Sequence, residues 1–217
     1  MQSFSNVIFD LDGTLLDTSP EILKAIQKTL VDFGIDSYAP LTCDLIGPPI
    51  GEIFKAVTGI NRTDTLDRLI NRYKLYYDEM FSMQSRYFEG MSESLLNLRN
   101  ANFRFHIATN KRVNPTQVIL KHVLMDFTFD SVFALDSRTP SFKSKSEMIR
   151  KQMASIGVDR NEIVFIGDSD SDEAAAIENG ILFFHAGWGY GKALSPETLS
   201  LASPSKLVEH LIKICVE

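Results

Sequence analysis

The chain has 217 residues, 44 % of them hydrophobic, and its 22 basic against 28 acidic side chains leave a formal net charge of −6. Proteins that bind polyanions are normally basic, so this balance argues against nucleic acid and acidic membrane surfaces as general partners. No apolar run approaches the ~20 residues needed to span a bilayer. The only cysteines, Cys43 and Cys215, are too few for a disulfide framework.

The compartment follows from the same features. A strand pattern begins by Asn6, which leaves no room for a signal peptide. Few cysteines suit a reducing environment. We therefore expect a cytoplasmic protein.

Short, nearly continuous apolar runs predict strands that helices cover on both faces. In chain order the predicted strands are Val7–Leu11, Phe103–Ala108, Ser131–Leu135, Ile163–Ile166 and Ile181–His185. Helical patterns precede the last four strands, at Ser94–Asn100, Thr116–Met125, Ser146–Ile156 and Asp172–Glu178. This alternation predicts an α/β fold with a three-layer, Rossmann-like core and a mainly parallel sheet.

A long segment without a strand pattern separates the first two strands. Helical periodicity marks Glu21–Phe33, which Gly34 ends, and Asp64–Met83, whose apolar positions include Met80 and Phe81. Structureless loops longer than about 15 residues are uncommon in compact domains. We therefore predict a small helical domain over residues 18–86, inserted into a core built from residues 1–17 and 87–217.

Two carboxylates follow the first predicted strand, in the run Asp10-Leu11-Asp12-Gly13-Thr14. Ligands of open α/β sheets bind outside the carboxyl ends of the strands. A hard divalent ion relieves the repulsion between two such carboxylates, and Mg²⁺ suits one or two carboxylates together with a substrate phosphate. The alternative interpretation is a strand that ends in ordinary turn residues.

A second acidic cluster follows the fourth predicted strand, in the run Gly167-Asp168-Ser169-Asp170-Ser171-Asp172. Asp168 comes directly after the strand and is the predicted metal ligand. Asp170 and Asp172 are candidates for capping the next helix or for supporting the metal ligands. Capping alone would also explain the cluster, because Ser and Asp satisfy free N–H groups at a helix start.

Phosphate-binding candidates lie at the end of the second strand and before the fourth. Thr109 and Asn110 offer a hydroxyl, an amide and backbone N–H groups that suit phosphate oxygens. A lysine near them would offset negative charge, and both Lys143 and Lys145 are available. Ser144 and Glu147 have capping-box spacing, which would place Lys145 at the first helical position and favours it over Lys143.

Other tempting residues are predicted to be structural. His106 and His185 lie inside apolar strands, where packed residues are expected, and no two histidines have metal-ligand spacing. The glycine-dense run from Gly187 to Gly191 lacks the context of a dinucleotide site and is interpreted as a flexible loop near the site.

Four motifs in this order at four strand ends resemble the haloacid dehalogenase superfamily in its phosphatase branch. Asp10 to Thr14 looks like motif I, Thr109 like motif II, Lys145 (or Lys143) like motif III and Gly167 to Asp172 like motif IV. The runs Ile46-Gly47-Pro48-Pro49 and Trp188–Gly191 look like the phosphoglycolate phosphatase group. Many relatives have Lys-Pro at motif III, where this chain has Lys-Ser twice.

The resemblance implies a mechanism. Asp10 would attack phosphorus to form an aspartyl-phosphate, and Asp12 would protonate the leaving alkoxide and later activate water. Mg²⁺ would be held by Asp10, by the Asp12 carbonyl and by Asp168, with Asp172 in support. Thr109, Asn110 and the lysine would bind the phosphoryl oxygens. The inserted helices would form a cap that closes over the substrate.

Three functions remain as alternatives. A Mg²⁺-dependent hydrolase of small phosphate monoesters is favoured, with phosphoglycolate first and a nucleoside monophosphate or sugar phosphate next among the substrates. A phosphosugar mutase would share the fold. A non-catalytic phosphate-binding module is disfavoured by the complete residue set, and a dehalogenase has no use for Asp12 as an acid.

Overall fold

The computed structural model describes residues 4–78 and 84–216, and its main feature is a six-stranded parallel sheet. The order across this sheet is β5-β4-β1-β6-β7-β8, and a separate antiparallel pair joins β2 to β3. In chain order the strands are β1 (Asn6–Phe9), β2 (Leu16–Asp17), β3 (Arg86–Tyr87), β4 (Arg104–Thr109), β5 (Ser131–Ala134), β6 (Ile163–Gly167), β7 (Leu182–Ala186) and β8 (Ser200–Leu201).

Helices cover both faces of this sheet and form a further group beside it. In chain order the helices are α1 (Ser19–Phe33), α2 (Ile50–Thr58), α3 (Thr63–Tyr76), α4 (Met91–Asn100), α5 (Val113–His122), α6 (Lys145–Ile156), α7 (Asp170–Asn179) and α8 (Pro204–Val216). One apolar cluster joins one face of the sheet to α4, α5 and α8, and another joins the opposite face to α6 and α7. The predicted three-layer α/β fold is therefore confirmed.

The helices α1, α2 and α3 have an apolar cluster of their own. Buried side chains from all three meet in it, including Ile26, Phe54 and Leu69, each 0 % exposed. The chain enters and leaves this group through the β2–β3 pair, in which Asp17 is opposite Arg86. The helices form because each concentrates its apolar residues on one side, and burial of that side stabilises them.

Several predicted boundaries differ from the observed ones. The predicted helix Asp64–Met83 is observed as α3, which ends at Tyr76, and Met80 and Phe81 lie outside the described residues. The segment between the first two predicted strands has no strand pattern in the sequence, but the structure places the β2–β3 pair in it. Its strands of two residues each are too short to produce a periodic pattern. No helix in the described part of the chain is long and apolar enough to cross a membrane.

His106 supports the prediction that strand histidines are packed residues. Its side chain is 0 % exposed, and its ring nitrogens lie 3.0 Å from Asn6 Oδ1 and 3.0 Å from Ser131 Oγ. Burial disfavours the imidazolium and lowers the pKa of His106 to about 4.

This shift predicts acid destabilisation. The unfolded chain protonates His106 near its ordinary pKa of about 6.5 and the folded chain only near 4, so stability falls as pH drops between these values. The loss amounts to roughly 3 kcal/mol at most. Urea unfolding at pH 7, 5.5 and 4 should show a flatter pH dependence for His106→Gln than for the wild type. The exposed His122 provides the control, and a His122→Gln variant that flattens the curve equally would contradict the assignment.

Candidate functional site

The predicted site residues converge at the carboxyl edge of the sheet. Strand β1 lies between β4 and β6 in parallel register, with Phe9 opposite both Ile107 and Ile166. The residue after β1, Asp10, donates its backbone N–H to the Ile166 carbonyl oxygen at 2.9 Å. The end of β1 therefore lies next to Thr109 at the end of β4 and to the residue after β6, Asp168.

Asp10, Asp168 and Asp172 form a buried carboxylate cluster. Each offers an oxygen, and these oxygens all lie within 4.8 Å of one another. Asp172 is at the third position of α7, where Ser169 and Asp172 form a reciprocal capping box that turns the carboxylate back toward the strand end. Asp172 thus lies among the candidate ligands themselves, closer than the predicted supporting role requires, whereas Asp170 is exposed.

Burial and repulsion from neighbouring carboxylates make Asp10 and Asp168 costly to ionise. Loss of solvation, together with the neighbouring Asp172, raises the pKa of Asp168 to about 7. Burial also raises the pKa of Asp10 well above its ordinary value, although the Lys145 ammonium acts in the opposite direction. When all three carboxylates are ionised, their charge exceeds what one lysine can neutralise, so a bound cation would stabilise the ionised cluster.

Lys145, and not Lys143, reaches the cluster. Its Nζ donates to Asp10 Oδ1 at 2.5 Å and lies 3.0 Å from Asp172 Oδ1, and the side chain is 5 % exposed. Ser144 caps α6 by accepting the Glu147 N–H at 3.1 Å, which makes Lys145 the first helical residue, as its spacing predicted. Lys143 is exposed.

Asp12 has different neighbours from the other carboxylates. Its Oδ1 accepts from Thr18 Oγ1 at 2.6 Å and lies 2.9 Å from Lys111 Nζ, which also donates to Tyr77 Oη at 2.9 Å. The Lys111 side chain is 5 % exposed. The Asp12 carboxylate thus contacts Thr18, directly before α1, and Lys111, which binds the helical group through Tyr77.

The residues after β4 form one wall of the site. Thr109 is 1 % exposed, and Asn110 Nδ2 donates to the Gly47 carbonyl oxygen of the helical group at 3.1 Å. Arg112 continues this contact with two bonds to Asp78, of 2.6 and 3.1 Å. The predicted phosphate-binding residue Asn110 and the nearby Arg112 therefore connect the sheet to the inserted helices.

The glycine-rich loop packs directly against the carboxylates. The backbone N–H groups of Tyr190 and Gly191 donate to Asp168 Oδ2 at 2.8 and 3.2 Å. A Cβ on Gly189 would lie 2.3 Å from Asp168 Cβ, and one on Gly13 would lie 2.2 Å from Asp168 Oδ2, so both positions require glycine. The loop lies near the site as predicted, and it orients Asp168.

Tyr190 also forms hydrogen bonds with the residues at the start of the inserted helices. Its Oη accepts the N–H groups of Thr18 and Ser19 at 2.6 and 3.0 Å and donates to Asp17 Oδ1 at 2.7 Å. We expect Tyr190→Phe to lower the free energy of unfolding by about 1–2 kcal/mol, because the donors and the acceptor lose their partner. Urea titration measures the effect, and the matched control is Tyr38→Phe, since Tyr38 is 81 % exposed. Equal losses in the two variants would refute this role.

Sequence reasoning missed Lys111 and Tyr190. Lys111 directly follows Thr109 and Asn110, so its position in the motif was the available signal. Tyr190 contacts residues more than 170 positions away, and only the folded chain brings them together.

Known relatives cover most of the chain. Tyrosine-protein kinase PtkA of Mycobacterium tuberculosis is 30 % identical over 86 % of this chain, which spans about 63 % of the length of that protein. Pyrophosphatase PpaX of Bacillus velezensis is 29 % identical over 94 % of this chain and 92 % of its own length. Phosphoglycolate phosphatase of Aquifex aeolicus is 26 % identical over 97 % of this chain and 98 % of its own.

Solved structures agree on the fold. The crystal structure of a "predicted phosphatase" from Clostridium acetobutylicum superposes with a TM-score of 0.86 at 24 % identity, over 97 % of this chain and 99 % of that one. Residues 7–186 match the family model described as haloacid dehalogenase-like hydrolase. This match includes all four motifs that carried the resemblance. The chain therefore belongs to the haloacid dehalogenase-like hydrolase family.

Proposed function

We propose that this hydrolase is a Mg²⁺-dependent phosphatase that cleaves small phosphate monoesters through an aspartyl-phosphate on Asp10. The observation that carries the proposal is the cluster of Asp10, Asp168 and Asp172 with the Lys145 ammonium on Asp10. Phosphatase and pyrophosphatase names among the relatives support the same chemistry.

The residues present fit a magnesium ion. Hard oxygen ligands are what Mg²⁺ prefers, and three buried carboxylates against one ammonium leave a charge that a divalent ion would balance. Asp10 and Asp168 would hold the ion, with Asp172 beside them and the Asp12 carbonyl as a further ligand. The bound ion would supply charge neutralisation and orientation of the phosphoryl group.

In the first step, a carboxylate oxygen of Asp10 attacks phosphorus and the bond from phosphorus to the ester oxygen breaks. Asp12 donates its proton to the departing alkoxide, which leaves as the alcohol. Lys145 and Thr109 bind the phosphoryl oxygens, on which negative charge is concentrated in the transition state.

In the second step, Asp12 accepts a proton from a water molecule whose oxygen attacks the phosphorus of the aspartyl-phosphate. The bond to Asp10 breaks, inorganic phosphate is released, and Asp12 is again protonated. The segment of residues 18–86, which contains α1–α3, acts as a cap over the substrate and excludes bulk water during the first step. The contacts of Asn110, Lys111 and Arg112 with this group support such a closed arrangement.

Phosphoglycolate, nucleoside monophosphates and sugar phosphates are the candidate substrates, and a phosphosugar mutase is the alternative activity. Release of inorganic phosphate from a sugar phosphate favours the hydrolase, whereas an isomerised sugar phosphate favours the mutase.

Metal removal tests the cofactor. We expect hydrolysis of p-nitrophenyl phosphate to fall at least 100-fold in EDTA and to return when Mg²⁺ is added in excess, because the carboxylates would repel the substrate without the ion. Phosphate release is the measurement, and Na⁺ at equal ionic strength is the control for salt effects. Full activity in EDTA would contradict metal dependence.

A further inference from the structure

A large cavity lies between the carboxylate end of the sheet and the inserted helices. Its volume is about 380 Å³, within the range of roughly 300–1,000 Å³ of pockets that enclose drug-sized ligands. Asp10, Asp12 and Thr109 line one end of this cavity. A phosphoryl group bound at that end leaves most of the volume to the alcohol of the ester.

The other end of the cavity is largely apolar. Helices α1–α3 and the segment before α2 contribute it. Tyr73 and Tyr77 form a stacked pair in the cavity wall, with ring centroids 5.6 Å apart, and Tyr77 reaches Lys111 beside Asp12. Aliphatic side chains supply most of the rest, and Ile46, Ile50, Ile53 and Ile70 are among them. The hydroxyl groups of a polar substrate alcohol would find few hydrogen-bond partners on this surface.

Three of the polar side chains in the cavity lining already bind other protein groups. Asn110 donates to Gly47, Lys111 bridges Asp12 and Tyr77, and Arg112 binds Asp78 through two bonds. These contacts leave fewer free donors for a carboxylate or a ring of hydroxyls on the substrate. An apolar group would leave them intact and would bury its surface against the isoleucines.

We propose that this cavity selects phosphate monoesters whose alcohol carries an apolar chain or ring of several carbons. The inference deepens the proposed function and relies on it for the position of the phosphate. It places a two-carbon acid such as phosphoglycolate among the poorer substrates, because that molecule would bury little of the apolar lining.

A homologous series tests the inference by changing chain length alone. We would measure the affinity of n-alkylphosphonates from ethyl to hexyl by calorimetry with Mg²⁺, and kcat/KM for the matching n-alkyl phosphates. Burial of each methylene strengthens binding by about fourfold, so hexyl should exceed ethyl by about two orders of magnitude. A flat series, or tighter binding of phosphonoacetate than of hexylphosphonate, would overturn the inference.

Two variants locate the effect. Ile70→Gln, and Gly51→Leu, which would crowd Ile70 because a Cβ at position 51 lies 3.3 Å from its Cδ1, should both flatten the series. Leu75→Gln is the matched control, since Leu75 is on the same helix, is 50 % exposed and does not line the cavity. A wild-type slope in both cavity variants would place the binding elsewhere and overturn the inference.

The affinity and rate measurements distinguish the selectivity of the cavity from the proposed phosphatase activity. A rising affinity series without phosphate release supports the cavity's selectivity and defeats the proposed phosphatase. Phosphate release with a flat series supports the phosphatase and defeats the selectivity.

Discussion

Replacement of Asp10 by Asn should abolish phosphate release and leave the fold intact. The amide cannot form the bond to phosphorus that the two-step mechanism requires. Removal of a covalent nucleophile in other enzymes costs roughly 10⁴- to 10⁶-fold in kcat, and we expect a loss of at least about 10⁴-fold. The measurement is single-turnover release of inorganic phosphate from p-nitrophenyl phosphate.

The stability of Asp10→Asn should move in the opposite direction from its activity. Burial and two neighbouring carboxylates raise the pKa of Asp10, so its ionised form is a cost to the folded protein without metal. A neutral isostere removes that cost and retains an oxygen that accepts from Lys145 Nζ. Thermal unfolding in EDTA should therefore occur at the wild-type temperature or above it, a trade of stability for activity that is common at active sites.

A matched variant separates catalysis from charge. Asp170→Asn removes one carboxylate from the second acidic run, Gly167 to Asp172, and Asp170 is exposed. We expect its activity to lie within about twofold of the wild type. Substantial turnover by Asp10→Asn, or equal losses in the two variants, would show that Asp10 is not the nucleophile.

The buried strands and the sequence order of the motifs could be predicted because they depend on local patterns. Strands β1, β4 and β6 are nearly continuous apolar runs, and a parallel sheet brings the residues that follow them to one edge. The capping spacing of Ser144 and Glu147 also correctly placed Lys145 at the first turn of α6. These inferences need only a few neighbouring residues.

The missed features depend on contacts between distant parts of the chain. The position of the Asp172 carboxylate beside Asp10 and Asp168 depends on the direction in which α7 leaves β6. The pairing of Lys111 with Asp12 depends on where the long lysine side chain runs in the folded chain. Strands β2, β3 and β8 contain only two residues each, so none of them produces a detectable hydrophobic period. Apolar periodicity predicts elements, whereas the partners of polar groups follow from packing.

Replacement of Lys145 by Met should impair both activity and stability, unlike the change at Asp10. Its ammonium is within 3.0 Å of Asp10 and Asp172, and removal leaves buried carboxylates without their counter-ion. Loss of one partner of a buried ion pair costs about 3–5 kcal/mol. Loss of a donor to the phosphoryl oxygens lowers kcat by about 10²–10³-fold.

The stability loss of Lys145→Met should depend on pH in a direction that follows from the charges. Without the ammonium, the folded-state pKa values of Asp10 and Asp168 rise further above their unfolded values. Groups whose folded pKa is raised favour the folded state at low pH, and this contribution is lost as pH rises. Urea unfolding without metal should therefore show a smaller deficit relative to wild type at pH 5 than at pH 8.

Lys143→Met is the control, because Lys143 is exposed two residues before Lys145 and has the same side-chain chemistry. We expect its kcat and its free energy of unfolding to match the wild type, the latter within about 0.5 kcal/mol. Comparable defects in the two variants would leave Lys145 without a special role. A stability deficit in Lys145→Met that is constant from pH 5 to 8 would show that packing of the lysine stem, and not its charge, stabilises the site.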